Sequence, residues 1–150
     1  MIYLGADHAG FALKEQTKTW LSEWKIEYID CGNTIFDVDD DFPDFAFIVA
    51  QNVAKSPENK GILTCQSAAG MVIAANKVKG IRAVTAFDER SAEHSRTHND
   101  ANILALSGEW LKEDEAKEIL KIWLETPFSN EERHIRRLSK IEQFENINLK

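Results

Sequence analysis

Gly61-Ile62-Leu63-Thr64-Cys65-Gln66-Ser67-Ala68-Ala69-Gly70, running on through Met71 to Lys77, reads as a strand, a tight turn and the opening of a helix. Gly61 to Thr64 is a short apolar run, the pattern of a strand buried on both faces. A cysteine at such a junction meets unpaired backbone N–H groups and the positive end of a helix dipole. Both lower a thiol's pKa, so Cys65 is expected to be available as thiolate, a base or nucleophile. Small residues from Ser67 to Gly70 let ligand oxygens come close to the backbone. A buried structural cysteine followed by a tight turn accounts for the same letters. The rest of the chain has to decide.

Outward from this stretch, short apolar runs alternate with helical patterns. Ile2 to Ala6, Glu27 to Asp30, Arg82 to Ala86 and Asn102 to Ser107 read as further strands. Leu13, Thr17, Trp20, Leu21 and Trp24 recur at helical spacing, as do Phe45, Ile48, Val49, Asn52 and Val53. Asp88 is placed to cap a helix running to Asn99, and Ala116, Ile119, Leu120, Trp123 and Leu124 mark another. Strands separated by helices imply right-handed βαβ units and a parallel sheet covered on both faces. Ligands of such sheets collect at the carboxyl ends of the strands. The candidate loops are Asp7-His8-Ala9-Gly10, the turn after Asp30, the Cys65 loop and the segment after Ala86.

The 150 residues make one domain, and apolar and charged fractions of 43% and 29% are those of an ordinary globular chain. A net charge of −7 argues against nucleic acid or an anionic membrane as partner. Cys31 and Cys65 are too few for a disulfide scaffold and lack zinc spacing. Cys31 reads as a small buried or half-buried thiol. Ile2-Tyr3-Leu4-Gly5 lacks the basic start and apolar core of a signal peptide, so a cytoplasmic location is expected. Trp20, Trp24 and Trp123 fit helix core faces. The acidic run Asp37 to Asp41 is expected to be a solvated turn with Asp39 and Asp40 exposed.

Arg133, His134, Arg136 and Arg137 form a dense basic cluster on a last amphipathic segment, Glu131 to about Asn146. Arg133 and Arg137 are four apart, share a helical face and could clamp one dianion. Solvated arginines pairing with Glu131, Glu132 and Glu142 explain the cluster equally well. Other motifs fail. Phe11 stands where a phosphate-binding loop needs lysine, and no GxGxxG is present. Met71 stands where a low-molecular-weight tyrosine phosphatase needs arginine. His94 and His98 are four apart but no glutamate completes a metal-binding HExxH, so neither a metal nor another cofactor is expected.

Several collinear segments resemble the family of ribose-5-phosphate isomerase B and the galactose-6-phosphate isomerase subunits over nearly the whole chain. They are Gly5-Ala6-Asp7-His8-Ala9-Gly10-Phe11-Ala12-Leu13-Lys14, Asp41-Phe42-Pro43-Asp44-Phe45-Ala46, Ala74-Ala75-Asn76-Lys77, Gly80-Ile81-Arg82-Ala83, Arg96 to Asn102, and Arg133-His134-Ile135-Arg136-Arg137. The resemblance implies a Rossmann-like three-layer α/β/α sandwich on a five-stranded parallel sheet, one sugar-phosphate isomerase domain over residues 1–150, and aldose–ketose isomerisation through an enediol without a metal. Ribose 5-phosphate is the leading substrate. A different sugar or sugar phosphate, or a non-catalytic sugar-phosphate-binding subunit, remains the alternative.

Carried over by the same resemblance, Cys65 is the base that moves the proton, and His98, from a neighbouring subunit, assists ring opening. Ser67 and the backbone at Gln66, Ala68, Ala69 and Gly70 surround the developing enediolate. Asp7 and Asn99 hold sugar hydroxyls with His8 nearby. Arg133 and Arg137 take the phosphate, with His134 beside them. The implied assembly is a homodimer or homotetramer whose subunits share each active site. Three positions depart from the family pattern. Gln66 and Ala68 replace loop glycines, at a cost of order 1 kcal/mol if either needs positive φ. Glu109, in Ser107-Gly108-Glu109, stands where many members have a phosphate-binding arginine, and Phe42 replaces a common tyrosine.

Overall fold

A computed structural model describes residues 1–148. The chain runs β1 (Ile2–Ala6), a 3₁₀ turn (His8–Gly10), α1 (Phe11–Glu23), β2 (Tyr28–Asp30), α2 (Phe42–Val53), β3 (Lys60–Cys65) and α3 (Ala69–Ala75). It continues through β4 (Ala83–Thr85), α4 (Glu89–Asn99), β5 (Ile103–Ser107), α5 (Glu113–Glu125) and α6 (Glu132–Asn148). The five strands form one sheet in the order β2-β1-β3-β5-β4, and every pairing is parallel. This is the expected three-layer α/β/α sandwich.

Strand alternation divides the core. Leu63, Ile103 and Ala105 face α2 and α3, where Val49, Ala50, Met71 and Ala75 are buried. Leu4, Ile62, Leu104 and Leu106 face the opposite layer of Trp20, Leu21, Ile119, Leu120 and Trp123. Trp20 and Trp123 are buried and Trp24 half-buried, as their helical spacing predicted. Each element ends for a local reason. Asp88 caps α4 by accepting the Ser91 N–H at 2.6 Å, while the Ser91 hydroxyl receives the Asp88 N–H at 3.2 Å. α3 stops earlier than its sequence suggested, at Ala75, because the Asn76 amide turns aside to bond both backbone groups of Ala83.

The strand order sets the position of the site. After β1 the chain steps outward to β2, then returns past β1 to lay down β3 on its other side. The loops leaving β1 and β3 therefore diverge, and a crevice opens between them at their carboxyl ends. Register places Ala6 beside Thr64, so Asp7 and Cys65 emerge as neighbours. Gly10 closes the base of this crevice. A Cβ at Gly10 would lie 2.1 Å from the Thr64 carbonyl oxygen and 2.6 Å from the Cys65 nitrogen, so only glycine fits. The Thr64 hydroxyl donates to the Gly10 carbonyl at 2.9 Å and fixes the contact.

Gly10→Ala is expected to cost about 2–3 kcal/mol, the scale of forced overpacking. Urea unfolding with an unchanged m-value checks it. An unshifted midpoint would show that the 3₁₀ turn is not seated as described.

Candidate active site

The crevice holds the first group of candidate residues. Cys65 is buried, with 5% exposure, and its Sγ accepts the Ala68 N–H at 3.1 Å. Burial pushes the Cys65 thiol above its ordinary pKa, and the Asp7 carboxylate pushes it further; the N–H groups of Ala68, Met71 and Ser67 pull the other way and lose. The sequence-based expectation of a lowered pKa is thereby corrected. Position at a helix start was legible, but desolvation and the neighbouring carboxylate were not. Ala68 has φ +67°, a left-handed conformation that favours glycine, whereas Gln66 does not. Of these two loop positions, Ala68 carries the strain. Its methyl group is fully buried against the α2–α3 core, which offsets part of that cost.

Neighbouring elements hold the loop. The Ser107 hydroxyl at the end of β5 donates to the Gln66 carbonyl and accepts the Trp110 N–H at 2.9 Å. The Gly108 N–H donates to the Cys65 carbonyl at 2.8 Å. The Phe42 ring lies over Gly70, where a Cβ would come within 2.9 Å of it. Gln66, Ala69 and Glu109 are exposed, and Ser67 and Gly70 are half-buried.

Asp7 is buried and accepts the Gly10 N–H at 2.9 Å. Burial raises its pKa against the opposing Gly10 N–H. Asp40, expected to be exposed, has a side chain only 6% exposed. It accepts the His8 backbone N–H at 2.9 Å and pairs with His8 Nδ1 at 2.8 Å. The Asn33 amide also donates to it. Its hydrogen bond holds the His8 pKa above the ordinary value. Behind this pair Lys14, 1% exposed, donates to Asp30 at 2.6 Å and to the Asn33 carbonyl at 2.7 Å. Burial works to raise the Asp30 pKa, yet Lys14, Lys18 and the Gly32 N–H hold it low.

This chain of contacts ties residues 31–41 down beside the crevice, and sequence reading missed it. One signal was available. Lys14 shares its helical face with the buried Thr17 and Leu21, and a lysine on a core-facing stripe needs a buried partner.

The second group lies elsewhere. α4 runs back from the carboxyl end of the sheet, so His98 and Asn99 fall beside its amino end, close to where Asn102 accepts the Gly61 N–H. The His98 ring centroid is 3.9 Å from His94 and 4.2 Å from His134. His134 is buried, and its Nδ1 is 2.9 Å from the Ser129 hydroxyl. Desolvation, then His94, His134 and Arg133, hold the His98 pKa below the ordinary value. Arg133 pairs with Glu131 at 2.7 Å, while Arg136 and Arg137 are exposed and make no ion pair among the described residues. Asn99 is exposed.

One chain thus does not assemble all the predicted residues. Gly61 and Cys65 mark opposite ends of β3, about 13 Å apart at strand rise. Asp7, His8, Cys65 and Ser67 stand at one end of the sheet, and His98, Asn99, Arg133 and His134 at the other. Among the described residues, no group of three or more His, Cys, Asp or Glu side chains is placed to hold a metal ion.

With that geometry in view, comparison with known proteins is decisive. A family profile described as ribose/galactose isomerase matches residues 2–141. The chain belongs to this family. YwlF of Bacillus subtilis, provisionally named a sugar phosphate isomerase, is 43% identical over 148 residues, covering 99% of both chains. Ribose-5-phosphate isomerase B of Mycobacterium tuberculosis is 38% identical over 144 residues, with 96% of this chain and 89% of that one covered. The crystal structure of ribose-5-phosphate isomerase B from Mycoplasma genitalium, with bound ribulose-5-phosphate, superposes with TM-score 0.93 at 38% identity, covering 97% and 95% of the two chains.

Asp7→Asn removes the carboxylate beside the thiol, so iodoacetamide alkylation of Cys65 is expected to reach half-maximal rate at lower pH in the variant than in the wild type. A Cys31→Ser background isolates the signal. An unmoved or raised midpoint would discard Asp7 as a cause of the high pKa.

Proposed function

We propose that this chain is an aldose–ketose isomerase that interconverts ribose 5-phosphate and ribulose 5-phosphate, with Cys65 as the proton-transferring base. The observation that carries the reading is the pairing of Cys65 and Asp7 at the switch-point crevice of a ribose/galactose isomerase chain. The substrate named for the Mycoplasma genitalium relative supports the same class of sugar phosphate. One domain over residues 1–150 does the work, in the cytoplasm, where both free thiols stay reduced.

The reaction follows from the groups available. His98 gives a proton to the ring oxygen as the C1–O bond breaks, and the anomeric hydroxyl loses its proton to solvent to leave the C1 aldehyde. Cys65, as thiolate, takes the proton from C2 of the open aldose, and negative charge moves onto the oxygen at C1. The N–H groups after Cys65 and the Ser67 hydroxyl stabilise that enediolate, the contribution that dominates such catalysis. The hydroxyl proton on O2 then passes to O1, Cys65 returns its proton to C1, the oxygen on C2 becomes the carbonyl, and the ketose results with the thiolate restored. Asp7 and Asn99 hold hydroxyls, His8 lines the crevice, and Arg133 and Arg137 take the phosphate with His134 beside them.

These roles need a second copy, because the thiol and the arginines of one chain stand at opposite ends of its sheet. A symmetric dimer, or a tetramer built from dimers, brings one copy's His98 to the other's Cys65. α6 supports this assembly by exposing Ile141, Phe144 and Ile147, which lie within about 120° of one another on one side of the helix. Glu109 favours one variation. An exposed carboxylate beside the Cys65 loop repels phosphate there, which leaves Arg133 and Arg137 as the anion site and disfavours sugars whose phosphate would reach the β5 rim.

In D₂O, NMR of ribose 5-phosphate with the protein is expected to show ribulose 5-phosphate carrying solvent deuterium. No product and no exchange would overturn the reading. Cys65→Ala and His98→Gln are each expected to be inactive, yet a refolded mixture recovers up to about a quarter of wild-type turnover, since random pairing gives half heterodimers with one intact site each. No recovery would reject the shared site. Because the thiol is held high, exchange of solvent deuterium into saturating ribulose 5-phosphate, an open-chain sugar that needs no ring opening, is expected to speed up as pH rises from 7 toward 9. A flat profile would remove Cys65 as the base.

A further inference from the structure

Ring opening needs one acidic imidazole, but the structure gathers three. His94 and His98 lie one turn apart on α4, and His134 of α6 approaches the same His98 ring. His134 is 1% exposed, its Nδ1 is engaged by Ser129, and its Nε2 has no hydrogen-bond partner among the described residues. The charged and titratable groups facing His98 are His94 from α4, His134 and Arg133 from α6, and Glu131 from the turn before α6.

Charge decides how this group behaves. Rings this close repel one another when protonated, so a proton on one is opposed by a proton on its neighbour. Arg133 adds further positive charge. Among the described residues facing His98, Glu131 is the opposing group, and it is already engaged by Arg133 Nε at 2.7 Å. With nothing bound, His98 is therefore biased to the neutral form, and a neutral His98 has no proton to spare for the ring oxygen. A dianion between Arg133 and Arg137 reverses the balance. It offsets the arginines and places negative charge next to the imidazoles.

We propose that anion binding and proton uptake are coupled here: a dianion held by Arg133 and Arg137 draws one proton from solvent onto the His94–His98–His134 stack, arming His98 to open the ring. The inference rests on the isomerase reading for the use of that proton, and on the stack's geometry for the coupling itself. In the reaction the proton passes from His98 to the ring oxygen. The substrate's own phosphate thus supplies the charge that readies the acid, and a sugar without phosphate meets a neutral His98. His134 and His94 are positioning residues that set where the proton resides. Linkage is reciprocal, so a protonated stack must also hold the dianion more tightly.

The test uses sulfate, a dianion that does not itself titrate between pH 5 and 9, against chloride at equal ionic strength. Imidazole Cε1–H resonances of the intact protein report the His98 midpoint. Sulfate is expected to raise it by about one pH unit, and sulfate affinity is expected to fall about tenfold across the midpoint. In the Arg133→Gln, Arg137→Gln variant the sulfate and chloride midpoints coincide. His94→Gln, at an exposed position, raises the sulfate-free midpoint of His98. A His98 midpoint that ignores sulfate, or that shifts equally without the two arginines, overturns the coupling. Turnover of His98→Gln separates the two claims. A sulfate shift with undiminished turnover supports the coupling and overturns only the catalytic role, whereas lost turnover without a shift overturns the coupling and keeps that role.

Discussion

The contact between the 3₁₀ turn after β1 and the end of β3 is the constraint on which the rest of the site depends. Parallel pairing of β1 with β3 brings Asp7 and Cys65 out side by side, and Gly10 lets the turn settle directly onto the Thr64–Cys65 peptide. A side chain at Gly10 would lift the turn off β3 and separate carboxylate from thiol. The packing of two backbones thus fixes a chemical distance, and the hydrogen bond from Thr64 to Gly10 resists sliding between them.

Around this contact the structure buries charge, which is costly unless every group is paired. Lys14 meets that condition by bonding Asp30 and the Asn33 carbonyl at once. Asn33 passes the constraint to Asp40, and Asp40 holds His8 by ring and backbone together. A segment rich in acidic residues, otherwise suited to solvent, is drawn against the crevice. The same low-dielectric setting governs Cys65. Backbone N–H groups aim at its sulfur, but α3 is only seven residues long and the Asp7 carboxylate is close, so the thiol is held protonated. In the proposed role of Cys65, that high pKa gives the thiolate strong affinity for the proton it removes.

The two ends of the sheet carry opposite kinds of chemistry. The carboxyl end holds acidic and thiol groups beside exposed backbone donors, and the amino end holds imidazoles and arginines. Their separation within the chain keeps the arginines away from Asp7 and from the thiol whose pKa it raises. Under the proposed shared site, assembly is a condition of activity.

Much of this was legible in the letters. Short apolar runs marked all five strands within a residue or two; β1, β3 and β5 are apolar because both of their faces are buried, whereas β2 at the sheet edge leaves Ile29 exposed. Asp88 as a cap, the core tryptophans and the strand–turn–helix at Cys65 were readable for the same reason: each depends on neighbours in sequence. The sense of the Cys65 pKa shift was not readable, since it is set by burial and by a carboxylate 58 positions away along the chain. Nor was the burial of Asp40, which depends on Asn33 and His8 meeting it from separate loops. The histidine stack shows both limits at once. Spacing placed His94 and His98 on one face, but only the packing of α6 against α4 brought His134 to them. Local sequence determined which residues could do chemistry; tertiary structure decided their protonation and their company, because electrostatics act through space and not along the chain.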